Sequence, residues 1–234
     1  MTERGAQTEA VDEQAPEPSV KDTLLAKIAD RTARVGVIGM GYVGLPLAVE
    51  FARAGFSVTG IDLDAAKCAE VNAGRSYISD VPSRAVSEVV QQGHLRATND
   101  YGALAEMDVV TICVPTPLGK AKDPDISYII RAAEALVDYV HPGMFVALES
   151  TTYPGTTEEV LIPRLVRNGC RVGEDVFLAF SPERVDPGNA RYNTRNTPKV
   201  VGGVTPACLE VAQMLYSSAV DQVVPVSSPA AAEM

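Results

Sequence analysis

Gly39, Gly41 and Gly44 follow the apolar run Val35 to Ile38 in the pattern G-x-G-x-x-G and lead straight into residues that favour a helix. A phosphate cradle needs this order. The first glycine permits a tight turn, the second lets a pyrophosphate approach the backbone, and the third lets the helix pack closely on the strand. The helix amino terminus then offers free N–H groups and the positive end of its dipole to an anion. Alone the pattern is common in loops, so its surroundings carry the argument. After the helical stretch from Leu47 to Ala54 come Gly55, suited to a C-cap, and the strand-like Phe56 to Ile61, ending in the acid Asp62. Asp62 lies about 18 residues beyond Gly44, close to the ~20 at which a carboxylate holds a ribose 2′-hydroxyl. A carboxylate there repels a 2′-phosphate, which favours NAD over NADP.

Three further polar segments follow apolar runs: Pro115-Thr116-Pro117, Glu149-Ser150-Thr151-Thr152-Tyr153-Pro154-Gly155-Thr156 and the stretch from Ser181 to Asn189. In an open parallel sheet, ligands bind beyond the carboxyl ends of the strands, so all three should open onto the crevice of the glycine turn. Each could be an ordinary turn. Together they supply hydroxyls and a carboxylate, Glu183, as a polar, hydroxylated substrate beside a nicotinamide would require.

These residues have to be positioned by alternating strands and helices, a pattern that calls for a doubly wound α/β sheet, parallel and covered by helices on both faces. The sequence predicts strands at 34–38, 57–62, 108–114, 144–149, 175–180 and 199–202, with another at 222–226. Helices are expected at 43–54, 64–72, 82–92, 125–140, 156–168 and 205–217. A small helix at 20–30 carries Leu24, Leu25 and Ile28 on one face. Residues 1–19 have almost nothing to bury and read as a disordered leader. At the other end, Ser228 suits an N-cap and Pro229 a first helical position, so 228–234 reads as the beginning of a further helix.

The net charge of −10 and the lack of a basic run make nucleic acid and anionic membrane poor partners. The four cysteines, Cys68, Cys113, Cys170 and Cys208, are widely spaced, and the two histidines are His94 and His141. Neither a metal site nor a disulfide framework is suggested. No apolar stretch approaches the ~20 residues of a membrane span and no secretory signal precedes the domain, which points to the cytoplasm.

Four motifs then make the chain resemble the UDP-glucose/GDP-mannose dehydrogenase family over residues 20 to 234. They are Gly41-Tyr42-Val43-Gly44-Leu45-Pro46, Val114-Pro115-Thr116-Pro117, Glu149-Ser150-Thr151 and Ser181-Pro182-Glu183-Arg184-Val185-Asp186-Pro187-Gly188-Asn189, in the family's order. The form of the last, with Gly74-Arg75-Ser76-Tyr77-Ile78, is similar to the branch that oxidises UDP-N-acetylhexosamines, especially UDP-N-acetylglucosamine, at C6.

The resemblance implies a Rossmann-type, mostly parallel domain over 20–227, with NAD as cofactor and a UDP-sugar as substrate. Gly39, Gly41 and Gly44 would hold the pyrophosphate while Tyr42 and Val43 shape the turn. Asp62, with Lys67, would bind the adenosine ribose. Pro115 and Thr116 would line the pocket near the nicotinamide. Thr151 would touch the cofactor and hydrogen-bond the reacting oxygen or its water, and Glu183 would act as base or orient that water. Plainer roles are a helix N-cap for Thr151 and a surface ion pair for Glu183.

The chain also departs from the family. Pro187 stands where UDP-glucose enzymes carry a second glutamate. None of the cysteines lies in a glycine-rich loop such as the one whose thiol captures the aldehyde in the family's double oxidation. Residues 228–234 would be the start of the family's connecting helix, with that central helix and the C-terminal domain missing. On this reading the chain needs that C-terminal part, the full-length form is a homo-oligomer, and the chain binds NAD without completing a four-electron oxidation. Two rivals share the glycine motif: a dehydrogenase of another type, such as one for 3-hydroxy acids, and a non-catalytic NAD-binding module.

Overall fold

A computed structural model describes residues 18–118, 124–167, 169–185, 188–189 and 191–234. The leader expected over 1–19 therefore falls outside the described residues except for its last two. One of these, Ser19, accepts from the Asp22 N–H at 3.1 Å and starts helix α1 (Val20–Ala29).

Eight strands form one sheet in the order β3-β2-β1-β4-β5-β6-β7-β8. They are β1 (Arg34–Ile38), β2 (Ser57–Ile61), β3 (Leu95–Thr98), β4 (Val109–Ile112), β5 (Phe145–Leu148), β6 (Phe177–Phe180), β7 (Lys199–Gly203) and β8 (Val223–Val226). The remaining α-helices are α2 (Gly44–Arg53), α3 (Ala65–Asn72), α4 (Ser83–Gln91), α5 (Ser127–Leu136), α6 (Ile162–Leu165), α7 (Pro206–Ser217) and α8 (Pro229–Glu233). Strand alternation splits the core in two. Val35, Val37 and Val109 pack with α1, α2, α4 and α7 on one face. Ile38, Val110 and Ile112 pack with α5 and α6 on the other. The expected doubly wound sheet, helices on both faces, is the architecture found.

Its details differ from expectation in three places. Strand β3 was not expected between the helix at 82–92 and the strand at 108–114. It is a four-residue edge strand with Leu95 and Ala97 inward and Arg96 outward, pairing only with β2, and so short an alternation is faint. Second, β7 runs antiparallel to β6, through Ala179↔Gly203 and Phe180↔Gly202. The described residues of 181–198 contain no helix to carry the chain back across the sheet, so it returns from the edge at which β6 ended. Third, the helix expected at 156–168 is a π-helical turn, Thr157–Leu161, followed by α6. Pro163 has no N–H to give to a regular α ladder.

The order leaves β1 and β4 side by side with their crossovers leading away in opposite directions. This switch point is where an open α/β sheet has a crevice at its carboxyl edge. On the face bearing α2, within a largely aliphatic cluster, Phe51 lies edge-on to Phe56 at 6.1 Å and tilted on Tyr216 at 6.0 Å, all three fully buried. Phe51→Ala should lower unfolding stability by about 3–5 kcal/mol in urea denaturation, with little change in the slope of the transition.

Candidate dinucleotide site and the carboxyl edge of the sheet

The glycine turn sits at the switch point, and its geometry requires glycine. Gly39 has φ +92°, and a Cβ there would meet the Cys113 carbonyl oxygen at 2.6 Å. A Cβ on Gly44 would collide with the Gly39 carbonyl, so α2 can start this close to β1 only with glycine in place. Gly41 is different: a Cβ there would meet nothing within 4 Å. Its exposed side is open space, as the approach of a pyrophosphate requires, and no side chain caps the α2 amino terminus behind it. The residues present therefore fit a dinucleotide.

Between Gly39 and Gly41, Met40 is clamped through its backbone. Its N–H donates to Asp62 Oδ2 at 2.8 Å, and its carbonyl accepts from the Tyr77 hydroxyl at 2.6 Å. Its side chain crosses Gly60 of β2, where any Cβ would strike the sulfur. Asp62 also accepts from the Asp64 N–H at 2.9 Å, and Lys67 Nζ lies 3.4 Å from Oδ2. Asp62 and Lys67 thus stand together at the end of β2, with acceptor capacity left for ribose hydroxyls. Burial, reinforced by the Asp62 charge, holds the Tyr77 phenol above its ordinary range, so it donates throughout the neutral range. Tyr77 belongs to the Gly74 to Ile78 segment, but its contact with Met40 had no sequence signal.

On the other side of the turn lies a cleft of about 280 Å³ lined by Tyr42, Val43, Asp80, Glu183, Asn189 and Asn193 among others. It is bounded by the chain leaving β6, which is tied across by the Gly188 N–H donating to Asp80 Oδ2 at 3.0 Å. Asp186 and Pro187 lie outside the described residues. Glu183 Oε1 accepts from the Arg184 and Val185 N–H groups at 2.7 and 2.8 Å, and Oε2 stands 3.6 Å from Lys199 Nζ. Glu183 is thus paired inward, whereas the plainer expectation was a surface ion pair.

Pro115, Thr116 and Thr151 do not line this cleft. Thr151 is exposed just past β5 and caps no helix, and Thr116 is half-buried past β4. The two exits are joined by Ser150, whose hydroxyl donates to the Val114 carbonyl at 2.7 Å. The segment after Thr151 is anchored by a residue that sequence reasoning passed over, Glu233 of α8. Its carboxylate accepts from the Gly155 N–H at 2.5 Å, the Thr157 N–H at 2.9 Å and the Thr157 hydroxyl at 2.7 Å. As expected, Ser228 caps α8, accepting from the Ala231 N–H at 3.1 Å.

Behind Glu183 lies a buried charge cluster. Lys199, 4% exposed, donates to Glu149 Oε2 at 2.5 Å, and the Tyr216 hydroxyl donates to Glu149 Oε1. Burial alone would lower the Lys199 ammonium, but the carboxylates of Glu149 and Glu183 outweigh it and raise it. Burial raises the Glu149 carboxyl against the pull of its two donors, and an ammonium in direct contact favours the ionised pair. Cys113, buried beneath Gly39 and Gly44, has its thiol pushed up, first by burial and then by Glu149.

The chain matches the family described as UDP-glucose/GDP-mannose dehydrogenase, NAD binding domain, over residues 33–220. It is 36% identical over 184 residues to UDP-N-acetyl-D-glucosamine 6-dehydrogenase of Pseudomonas aeruginosa, covering 78% of this chain and 43% of that protein. It is 36% identical over 204 residues to UDP-N-acetyl-D-mannosamine dehydrogenase of Pyrococcus horikoshii, covering 86% of this chain and 48% of the relative. Among solved structures, NDP-N-acetyl-D-galactosaminuronic acid dehydrogenase from Methanosarcina mazei superposes with a TM-score of 0.82 at 36% identity, over 93% of this chain and 48% of that one. The chain thus spans about half the length of the relatives it matches.

Glu233→Ala strands three donors at the start of the Thr157 turn. It should cost about 1–3 kcal/mol in chemical denaturation and raise amide exchange at Gly155 and Thr157 while leaving the β1 amides protected.

Proposed function

The chain belongs to the UDP-glucose/GDP-mannose dehydrogenase family, as its NAD-binding domain, and on that premise we propose that it serves an enzyme that oxidises a UDP-N-acetylhexosamine at C6 to the uronic acid, with UDP-N-acetylglucosamine the favoured substrate. The observation that carries this reading is the juxtaposition of the open glycine turn, with Asp62 behind it, and the Glu183 cleft in front. Bound NAD would supply the acceptor for the two hydrides that an alcohol must lose to become an acid.

The chain's own residues supply position and electrostatics. Gly41 and the uncapped start of α2 receive the pyrophosphate, and Asp62 with Lys67 takes the adenosine ribose. Pro115, Thr116 and Thr151, at the exits of β4 and β5, border the nicotinamide end. The Thr151 hydroxyl is exposed there and free of any helix cap, suited to donate to the reacting oxygen or its water. Glu183 reaches the cleft with Oε1 held by backbone N–H groups, suited to accept a proton or to orient a water.

None of this chain's cysteines suits the thiol step of such an oxidation. Cys68, Cys113 and Cys208 are buried, burial raises the thiols of Cys68 and Cys113, and Cys170, after α6, packs against the core on the α5 and α6 face. The 234-residue chain alone is accordingly a cofactor binder that does not complete the reaction. Incubated with NAD and UDP-N-acetylglucosamine, it should yield no uronic acid, as followed by absorbance at 340 nm and by mass spectrometry; turnover at an ordinary enzymatic rate would refute this.

Asp62→Ala should weaken NAD binding at least tenfold, about 1.4 kcal/mol, and narrow the preference over NADP. Calorimetry with both cofactors decides it, and unchanged affinities would remove the ribose site from Asp62.

A further inference from the structure

The cluster behind Glu183 contains more charge than the proposed chemistry uses. Lys199, Glu149 and Tyr216 come from β7, the exit of β5 and α7, and meet where all three side chains are buried. A buried ion pair is by itself weak evidence of a stabilising role, because apolar residues of similar volume often serve as well. What distinguishes this one is a second carboxylate. Lys199 Nζ is in contact with Glu149 and also stands 3.6 Å from Glu183 Oε2, beyond hydrogen-bonding distance but well within Coulomb reach. The Glu183 side chain is 15% exposed and borders the cleft, whereas that of Glu149 is fully buried.

We propose that Lys199 is a positioning residue for Glu183: anchored by Glu149 and braced by Tyr216, it sets the direction in which the Glu183 carboxylate meets the cleft. The physical argument runs through what each oxygen of Glu183 touches. Oε1 is taken by the N–H groups of Arg184 and Val185, in the same segment, and these two bonds hold only while the carboxylate keeps its seat. Among the described residues, the contact that relates the Glu183 side chain to the sheet is the pull of Lys199 on Oε2. Lysine has a flexible four-carbon stem and would not define a direction unaided. Here the stem is buried, its ammonium is fixed on Glu149, and the Tyr216 ring lies 5.6 Å from Nζ. The cation also separates two carboxylates that would otherwise repel each other across the top of the sheet.

The proposal rests on the reading of Glu183 as a group that meets substrate, and its test does not depend on that reading. Lys199→Met alone would leave Glu149 as a buried, unpaired charge, so two variants that both remove this charge are compared: Glu149→Gln, and Lys199→Met combined with Glu149→Gln. In each, the amide that replaces the carboxylate can still accept from Tyr216. The readout is amide hydrogen exchange of the 234-residue chain at Arg184 and Val185, which report the seat of Glu183, with Ala179 of β6 as the internal reference. Glu149→Gln frees Lys199 to pair directly with Glu183, which alters the direction of the carboxylate but keeps it held, so exchange at Arg184 and Val185 should stay within about threefold of the parent. The double variant should exchange there at least tenfold faster with Ala179 unchanged. Equal rates at Arg184 and Val185 in the two variants, acceleration that spreads to Ala179, or failure of the double variant to fold would each assign Lys199 to general stability and overturn the proposal. If the parent chain does not bind NAD, the functional reading fails while the exchange comparison still decides the role of Lys199.

Discussion

The backbone of Met40, held at both its N–H and its carbonyl, is the constraint on which the glycine turn depends. Helix α2 must begin almost in contact with the end of β1, and the two glycines that allow this also leave the turn without side chains to hold it. The Asp62 carboxylate takes the Met40 N–H and the Tyr77 hydroxyl takes its carbonyl, so the turn is fixed from the end of β2 and from the segment after α3. Asp62 therefore has two tasks. It fixes the glycine turn through the Met40 N–H, and under the proposed ribose role the same carboxylate would couple the form of the cradle to the preference for NAD. Met40 in turn lies over Gly60, which explains a glycine in the middle of β2.

The carboxyl edge of the sheet repeats the device of satisfying loop backbone with acids and hydroxyls brought from elsewhere. Ser150 ties the exit of β5 to that of β4, Asp80 receives the Gly188 N–H, and Glu233 receives the start of the turn at Thr157. Loops that carry functional groups need such ties, because a loop lacks the ladder that fixes a strand or helix. The cost is a concentration of negative charge at one edge, and Lys199 is the cation buried within it.

This edge also relates the chain to its relatives. The family match, the identities near 36% and the TM-score of 0.82 concern the NAD-binding half of proteins about twice as long. What this half brings to the carboxyl edge is the glycine turn with Asp62 and the cleft bordered by Glu183. The α8 carboxylate reaches directly into the segment after Thr151, so α8 takes part in fixing that segment.

Much of this was legible in the sequence because it rests on local chemistry. The glycine spacing, Asp62 at the end of an alternating strand and the polar residues following apolar runs all follow from short-range rules, and with the strand-helix alternation they determine a doubly wound sheet with a dinucleotide crevice. The pairing partners were not legible. Strand β3 is too short for its alternation to stand out, and the antiparallel direction of β7 depends on a long connection returning to the edge it left. That return decides the interior of the site: pairing β7 to β6 only through Gly202 and Gly203 carries Lys199 past the end of β6 and into contact with Glu149. Tyr77 on Met40, Glu233 on Thr157 and Tyr216 on Glu149 belong to the same class, contacts between residues far apart in the chain. Local propensity determined which elements form and which chemical groups stand at their ends. Only packing in three dimensions decided which of those groups meet, because a charge is worth burying only where a partner from another element is waiting.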